Sequence, residues 1–225
     1  MLRLALPKGR LWADSVRLMR QLGITVTPDD RQYVFRQPDF DLEVFALKIP
    51  DIPQVVAEGL VDLAVVSDEW LLERAATCVP MIPLCWYHVR ICLLAPSGVT
   101  DLRTSVKRGV ASPERVSVIT PYVRLARTYL PEGRYQIRHV SGSAEAYPGR
   151  LADVAVDCVE TGATLEHNGL AIVRTLVQAD VRLVRAPTYD LNRPACARIL
   201  AAIAGVADNI GCLYGASGTL QAAVT

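Results

Sequence analysis

The stretch with the most chemical content is Asp157-Cys158-Val159-Glu160-Thr161-Gly162-Ala163-Thr164-Leu165, two carboxylates followed at once by small and hydroxyl residues. It continues an apolar run, Val154-Ala155-Val156, that reads as a short buried strand. A strand, a tight loop and a helix start in that order suit an anion. Small residues let backbone N–H groups approach it closely, the helix start presents a positive end, and threonine hydroxyls add donors. Asp157 and Glu160 would repel a phosphate, but carboxylates suit ribose hydroxyls or a magnesium ion held by oxygen ligands. A phosphorylated sugar satisfies both halves of the stretch. A plainer role is also open, with Glu160 and Thr161 serving only to cap a helix that begins near Ala163.

A second group of charges stands near the N-terminus. Leu2-Arg3-Leu4-Ala5-Leu6 alternates as a strand should, and Pro7-Lys8-Gly9-Arg10 ends it in a turn carrying two cations. The carboxyl end of a strand is where α/β sheets bind ligands, although two cations at a turn also serve simply as solvated charge.

Composition narrows the partners. At 225 residues with formal net charge +1, the chain can bury a core, and it lacks the basic cluster that neutralises many phosphates along a duplex. No nucleic acid is expected, and no apolar run reaches membrane-spanning length. The N-terminus enters a strand directly, without the segments of a signal peptide, so a cytoplasmic location is expected. The six cysteines are scattered, several of them inside apolar runs, and read as reduced core thiols, while the three histidines give no metal-ligand spacing. No metal site built from protein ligands alone is expected.

The elements that must position these residues alternate. After the first strand, Val16, Met19 and Leu22 mark a helix that Gly23 stops. Residues 32–36 and 42–47 read as a hairpin, Asp51-Ile52-Pro53 as a helix start with Asp51 as N-cap, 63–66 as a buried strand and 69–76 as a helix. Residues 89–95 form the next strand. Helix 102–108, strand 116–120, helix 122–130 and strand 135–140 follow, and Ser141-Gly142-Ser143 opens a further helix. Leu165, Leu170, Val173 and Leu176 make an apolar stripe that predicts one long helix over 163–178. A strand at 181–185, a helix at 193–203 and a loosely helical stretch from 205 complete the pattern. Such alternation indicates α/β with mainly parallel sheets, in two blocks of about 1–90 and 91–178. A tail that rejoins the first block would give two crossovers and a hinged cleft.

Four segments in order resemble ATP phosphoribosyltransferase, the first enzyme of histidine biosynthesis. They are Leu4-Ala5-Leu6-Pro7-Lys8-Gly9-Arg10-Leu11, Asp51-Ile52-Pro53, Ser141-Gly142-Ser143-Ala144-Glu145, and the run from Asp157 to Leu165 with Asn168-Gly169-Leu170. The length resembles the short form, which lacks a C-terminal regulatory domain. The resemblance implies a two-lobed fold like a type II periplasmic binding protein with a central cleft, residues 1–90 and 179–225 forming the first lobe and 91–178 the second. It implies that adenine N1 of ATP displaces pyrophosphate from 5-phosphoribosyl-1-pyrophosphate, with Mg2+ carried on the substrate phosphates. Asp157, Glu160, Thr161, Gly162, Ala163, Thr164 and Leu165 would then bind phosphoribosyl pyrophosphate. Lys8, Lys48 and Arg31 would act on the reaction, Arg31 at the pyrophosphate. Lys8, Gly9, Arg10, Ser141, Gly142, Ser143, Glu145, Thr120, Tyr122 and Arg90 would hold substrate phosphates or ATP. The implied assembly is a homodimer within a hetero-oligomer containing a histidyl-tRNA-synthetase-like regulatory subunit.

The chain departs from the family pattern at several places. Lys48 stands where arginine usually precedes Asp-Ile-Pro, replacing a bidentate fork by a point charge. Cys85-Trp86-Tyr87-His88 replaces Gly-Phe-Gly, Ser67-Asp68-Glu69 replaces a Gly-Lys-Asp type of loop, and Pro121 stands where lysine is common. These changes fall more on the implied ATP side than on the ribose-phosphate side. Two other readings use the same residues: a two-lobed protein that binds a phosphorylated ligand without turnover, and a phosphoribosyltransferase for a different base.

Overall fold

The computed structural model describes residues 1–26, 31–86, 88–99, 115–190 and 194–209. In chain order, strand β1 (Leu2–Pro7) leads through a 3-10 turn into helix α1 (Trp12–Gln21), which buries Val16, Leu18 and Met19. The edge strand β2 (Val34–Gln37) turns through Pro38–Phe40 into β3 (Leu42–Leu47), the expected hairpin. Helix α2 (Ile52–Ala57) has Pro53 in its first turn, where a missing N–H costs nothing. Asp51 precedes it without a side-chain capping bond, contrary to its expected role, because its own backbone is already helical. Strand β4 (Leu63–Ser67), fully buried, runs into α3 (Asp68–Arg74) and then β5 (Val79–Pro83).

Next come β6 (Val89–Pro96), β7 (Val116–Thr120), α4 (Val123–Tyr129), β8 (Tyr135–His139), β9 (Val154–Val159) and α5 (Ala163–His167). Strands β10 (Leu170–Ala179) and β11 (Val181–Arg185) and helix α6 (Pro194–Asn209) end the described chain. The helix expected at 102–108 and the stretch beyond 209 lie outside the described residues.

The long helix expected over 163–178 does not form. Helix α5 stops at His167, Gly169 takes a left-handed φ of +65°, and the next ten residues are strand β10. Gly169 supplies the positive φ with which helices commonly end. Ile172, Val173, Thr175 and Val177 are β-branched and crowd a helix but fit a pleated surface. The edge of β6 gives them an antiparallel ladder from Leu170 opposite Pro96 to Ala179 opposite Val89. Strand β5 was not foreseen. It carries Pro80 and Pro83, which a sheet tolerates at an edge.

The chain forms two compact units. One holds residues 1–87 with the described residues from Asp180 onward, and the other holds 88–179. The first unit has a six-stranded sheet in the order β2-β3-β1-β4-β11-β5, and the second a five-stranded sheet in the order β10-β6-β9-β7-β8. Both are mixed. Strands β3, β1 and β4 are mutually parallel, as are β9, β7 and β8, whereas β2, β11, β5, β6 and β10 join antiparallel. The expectation of mainly parallel sheets thus holds only for these two trios, the first in the middle of its sheet and the second at one end of its sheet, and fails where hairpins and returning chain add strands.

Alternation of buried side chains covers both faces of the first sheet. Leu4, Leu6, Val44, Leu63, Val65 and Leu183 pack with α1 and α6, while Ala5, Ala64, Val66 and Val184 pack with α2. In the second unit Cys92, Leu94, Ala155 and Val159 pack beneath Leu165 of α5 and Ala144.

Cys85 is disulfide-bonded, which corrects the reading of six reduced thiols. It is an exposed residue at φ +49° rather than a core thiol. Cys78, Cys92, Cys158 and Cys196 form no disulfide. Burial pushes the Cys78 thiol up to about 11, so it stays protonated and unreactive near neutral pH.

One ion pair anchors the returning strand β11. Arg182 donates from Nε and Nη2 to the two oxygens of Asp68, whose side chain is 4% exposed, and the Asp68 N–H donates to the Asp180 carbonyl at 2.9 Å. Removing the carboxylate leaves a guanidinium largely out of water. Asp68→Ala is therefore expected to lower the unfolding free energy by about 3 kcal/mol, against under about 1 kcal/mol for Glu43→Ala at the exposed Arg36–Glu43 pair. Urea unfolding monitored by circular dichroism checks this; equal losses for the two variants would refute the anchoring role.

Candidate functional site

In the second unit, strand direction collects the expected residues. Ile119 of β7 pairs with Ala155 of β9, and Thr120 with His139 of β8, all in parallel register. Parallel strands end on one edge, so the segments that follow Thr120, His139 and Val159 all emerge there. Strand β6 runs the other way and begins at the same edge, with Arg90 opposite Val159. Thr120, Tyr122, Ser141, Gly142, Ser143, Arg90 and the loop after Asp157 are thereby brought to one rim of one sheet.

They differ in exposure. Ser141, Gly142 and Ser143 are exposed, Ser143 at φ +51° before the 3-10 turn Ala144–Ala146 that carries Glu145. Thr120 is fully buried and its Oγ1 accepts the Tyr122 N–H at 2.9 Å, while Tyr122 itself is 2% exposed. These two residues shape the turn from within the core. Arg90 is exposed.

Asp157 lies on β9, half-buried, and its Oδ1 accepts the Cys158 N–H at 2.7 Å. Glu160 stands exposed just past the strand. Thr161 Oγ1 accepts the Ala163 N–H at 3.4 Å, a long bond that realises part of the plain capping role. Gly162 takes φ +87°, and a Cβ there would meet nothing within 4 Å. The glycine is needed for its backbone angle, and the space outside it is open to a ligand. Thr164 is exposed on the first turn of α5, while Leu165 points inward and packs in the core.

The first unit gathers cations at the corresponding rim of its own sheet. Pro7 pairs with Leu47 in parallel register, and the Lys8 N–H donates to the Leu47 carbonyl at 2.7 Å, so Lys8 and the exposed Lys48 continue adjacent strand ends. The Lys8 ammonium lies 4.4 Å from the centroid of the Tyr33 ring, a cation–π contact. Gly9 has φ +75°. Arg10 Nη2 donates to Glu69 Oε1 at 2.7 Å, and Ser67 Oγ donates to the same oxygen at 2.9 Å. Arg31 is exposed ahead of β2.

Glu69 and Tyr33 are the partners that sequence reasoning missed. Glu69 lies 59 residues from Arg10, and the only available signal was that both follow strands that prove to be neighbours. Burial pushes the Glu69 carboxyl up, and Arg10 works against that shift. Among the described residues no group of three His, Cys, Asp or Glu is placed to hold a metal ion. Two carboxylates such as Asp157 and Glu160 offer hard oxygens but fewer ligands than a dedicated magnesium cage requires.

Comparison with known proteins identifies a family by sequence and a fold by structure. A family model described as ATP phosphoribosyltransferase matches residues 48–205, a span that includes Lys48, the rim of the second unit and the 157–165 loop. An ATP phosphoribosyltransferase of Syntrophotalea carbinolica is 32% identical over 186 residues, 80% of this chain and 83% of the relative. One from Geobacillus kaustophilus is 30% identical over 213 residues, 92% of this chain and 98% of the relative. Among solved structures, the ATP phosphoribosyl transferase (HisG:HisZ) complex from Thermotoga maritima aligns with a TM-score of 0.77 at 24% identity, over 93% of this chain and 99% of that one. The arginine-bound ArgBP of T. maritima aligns at 0.53 with 12% identity, over 93% and 95%. At these identities the structural likenesses speak for the fold alone, the α/β fold of type II periplasmic binding proteins. The sequence matches go further, since the family model covers well over half of the chain and the relatives are at least 30% identical over most of both chains: the chain belongs to the ATP phosphoribosyltransferase family.

Proposed function

We propose that this chain is the catalytic subunit of a short-form ATP phosphoribosyltransferase, in which adenine N1 of ATP attacks C1 of 5-phosphoribosyl-1-pyrophosphate. The N1–C1 bond forms, the bond from C1 to the diphosphate oxygen breaks, and pyrophosphate leaves with the bonding electrons. The observation that supports this best is the family match running through the 157–165 loop, where the space outside Gly162 is open.

Each role follows from charge. Positive charge develops on the ribose as the diphosphate departs, and negative charge on the diphosphate. Asp157 and Glu160 hold the ribose hydroxyls and stabilise the developing cation. Thr161, Gly162, Ala163 and Thr164 hold the 5-phosphate through backbone N–H and hydroxyl groups, with Leu165 locking the start of α5 into the core. Lys8, Arg10, Arg31 and Lys48 meet the departing pyrophosphate, and Gly9 keeps that turn open. Ser141, Gly142, Ser143, Glu145 and Arg90 serve the ATP side, on the same rim as the turn that Thr120 and Tyr122 shape. No nucleophilic side chain is required. Mg2+ arrives with the substrate phosphates and neutralises part of their charge.

The assembly follows the T. maritima relative, which is a complex of HisG with HisZ. We extend this to a homodimer of the present chain joined to a histidyl-tRNA-synthetase-like regulatory subunit. A cytoplasmic location agrees with the absence, among the described residues, of a helix long and apolar enough to cross a membrane.

Formation of phosphoribosyl-ATP with the regulatory subunit present tests the proposal, and the loop variants locate it. Glu160→Ala and Thr164→Val should each raise KM for phosphoribosyl pyrophosphate about tenfold or more, on the order of 1.4 kcal/mol. Product formation with unchanged KM in both would place the sugar phosphate elsewhere, and turnover with another base but not ATP would change the acceptor. Restoring the fork at position 48 is expected to help: Lys48→Arg should leave kcat equal or higher, and a collapse in kcat would show that the turn has been rebuilt around lysine.

A further inference from the structure

The turn Lys8-Gly9-Arg10 carries its charges on long side chains, and a long cation bound to nothing loses entropy when it grips an anion. Arg10 is not left to wander. Its Nη2 is held at 2.7 Å by Glu69, a carboxylate with no exposed side-chain surface, itself fixed by the Ser67 hydroxyl at 2.9 Å on the same oxygen. The other oxygen, Oε2, is buried with no hydrogen-bond partner. A carboxyl kept in this condition is costly, since a buried polar atom without a partner forfeits its hydration. Stability alone would favour an apolar residue here.

We infer that Glu69 is a positioning residue for the reaction, fixing Nη2 of Arg10 so that the guanidinium is held in the orientation in which it meets the phosphates of the substrate. The inference rests on the proposed role of Arg10 in holding substrate phosphates. Glu69 touches neither substrate nor reacting atoms and acts only through Arg10. Its neighbour Asp68 is occupied by Arg182, so the two acids of this turn have separate tasks, one in the fold and one at the rim.

A positioning role and a merely structural one separate in a double-mutant cycle. Glu69→Gln and Glu69→Asp are each made alone and with Arg10→Ala, in the chain assembled with its regulatory subunit. With Arg10 present, each should raise KM for phosphoribosyl pyrophosphate about fivefold while kcat stays within about twofold; with Arg10→Ala, the same changes should shift KM less than about twofold. Fivefold effects that persist without Arg10, or no effect with it, overturn the inference. Calorimetric binding of magnesium pyrophosphate, which needs no turnover, is read on the same variants. A wild-type chain that binds pyrophosphate with this coupling but makes no phosphoribosyl-ATP refutes the proposed function and keeps Glu69 in place. A wild-type chain that does not bind pyrophosphate removes the task assigned to Arg10 and overturns the inference. The Asp variant guards against a folding defect in the Gln variant, whose amide would bury an unpaired donor.

Discussion

Parallel pairing leaves no choice about where loops go. A strand that is parallel to its neighbour must end on the same edge, and whatever follows it emerges there. In the second unit this constraint acts on β7, β8 and β9, so the turns after Thr120, His139 and Val159 share a rim although tens of residues separate them. In the first unit it acts on β1, β3 and β4 and brings Lys8, Lys48 and the Ser67-Asp68-Glu69 turn to one rim. The antiparallel strands added outside these trios widen the sheets without disturbing that convergence. Arg90 joins the second rim only because β6 runs opposite to β9.

Within each rim, chemistry is set by what the core does to the side chains. Thr120 and Tyr122 are taken inward and become turn-formers, leaving Ser141, Ser143, Glu160 and Thr164 to face solvent. Leu165 anchors α5 against Cys92, Leu94 and Val159, so the loop before it hangs from a fixed point. On the other rim the cations are tethered, Lys8 over an aromatic ring and Arg10 on a buried carboxylate. Both arrangements reduce the freedom that a bound phosphate would otherwise have to remove.

Much of this is legible in the amino-acid sequence. A strand starting at Val154, the turn at Gly162 and the helix start at Ala163 follow from an apolar run broken by small residues, although the strand expected over 154–156 continues through Asp157 to Val159. The next step misled, because Leu165, Leu170, Val173 and Leu176 match a helical stripe while Ile172, Val173, Thr175 and Val177 match a strand. Gly169 decides between them, by ending the helix at a positive φ beside the open edge of β6. Strand β5 was hidden by its prolines, which local rules count against a strand and which an edge position excuses. The Arg10–Glu69 and Arg182–Asp68 pairs were beyond sequence reasoning, since nothing local says that β4 lies between β1 and β11.

The central claim is that the 5-phosphate of the substrate sits on the loop at residues 161–164. Amide chemical shifts report it directly, by titrating the isotopically labelled chain with ribose 5-phosphate and, separately, with ribose. The account predicts that the amides of Gly162, Ala163 and Thr164 shift strongly and saturably with ribose 5-phosphate and hardly at all with ribose. Unmoved loop amides, with the largest shifts at another turn, would contradict it.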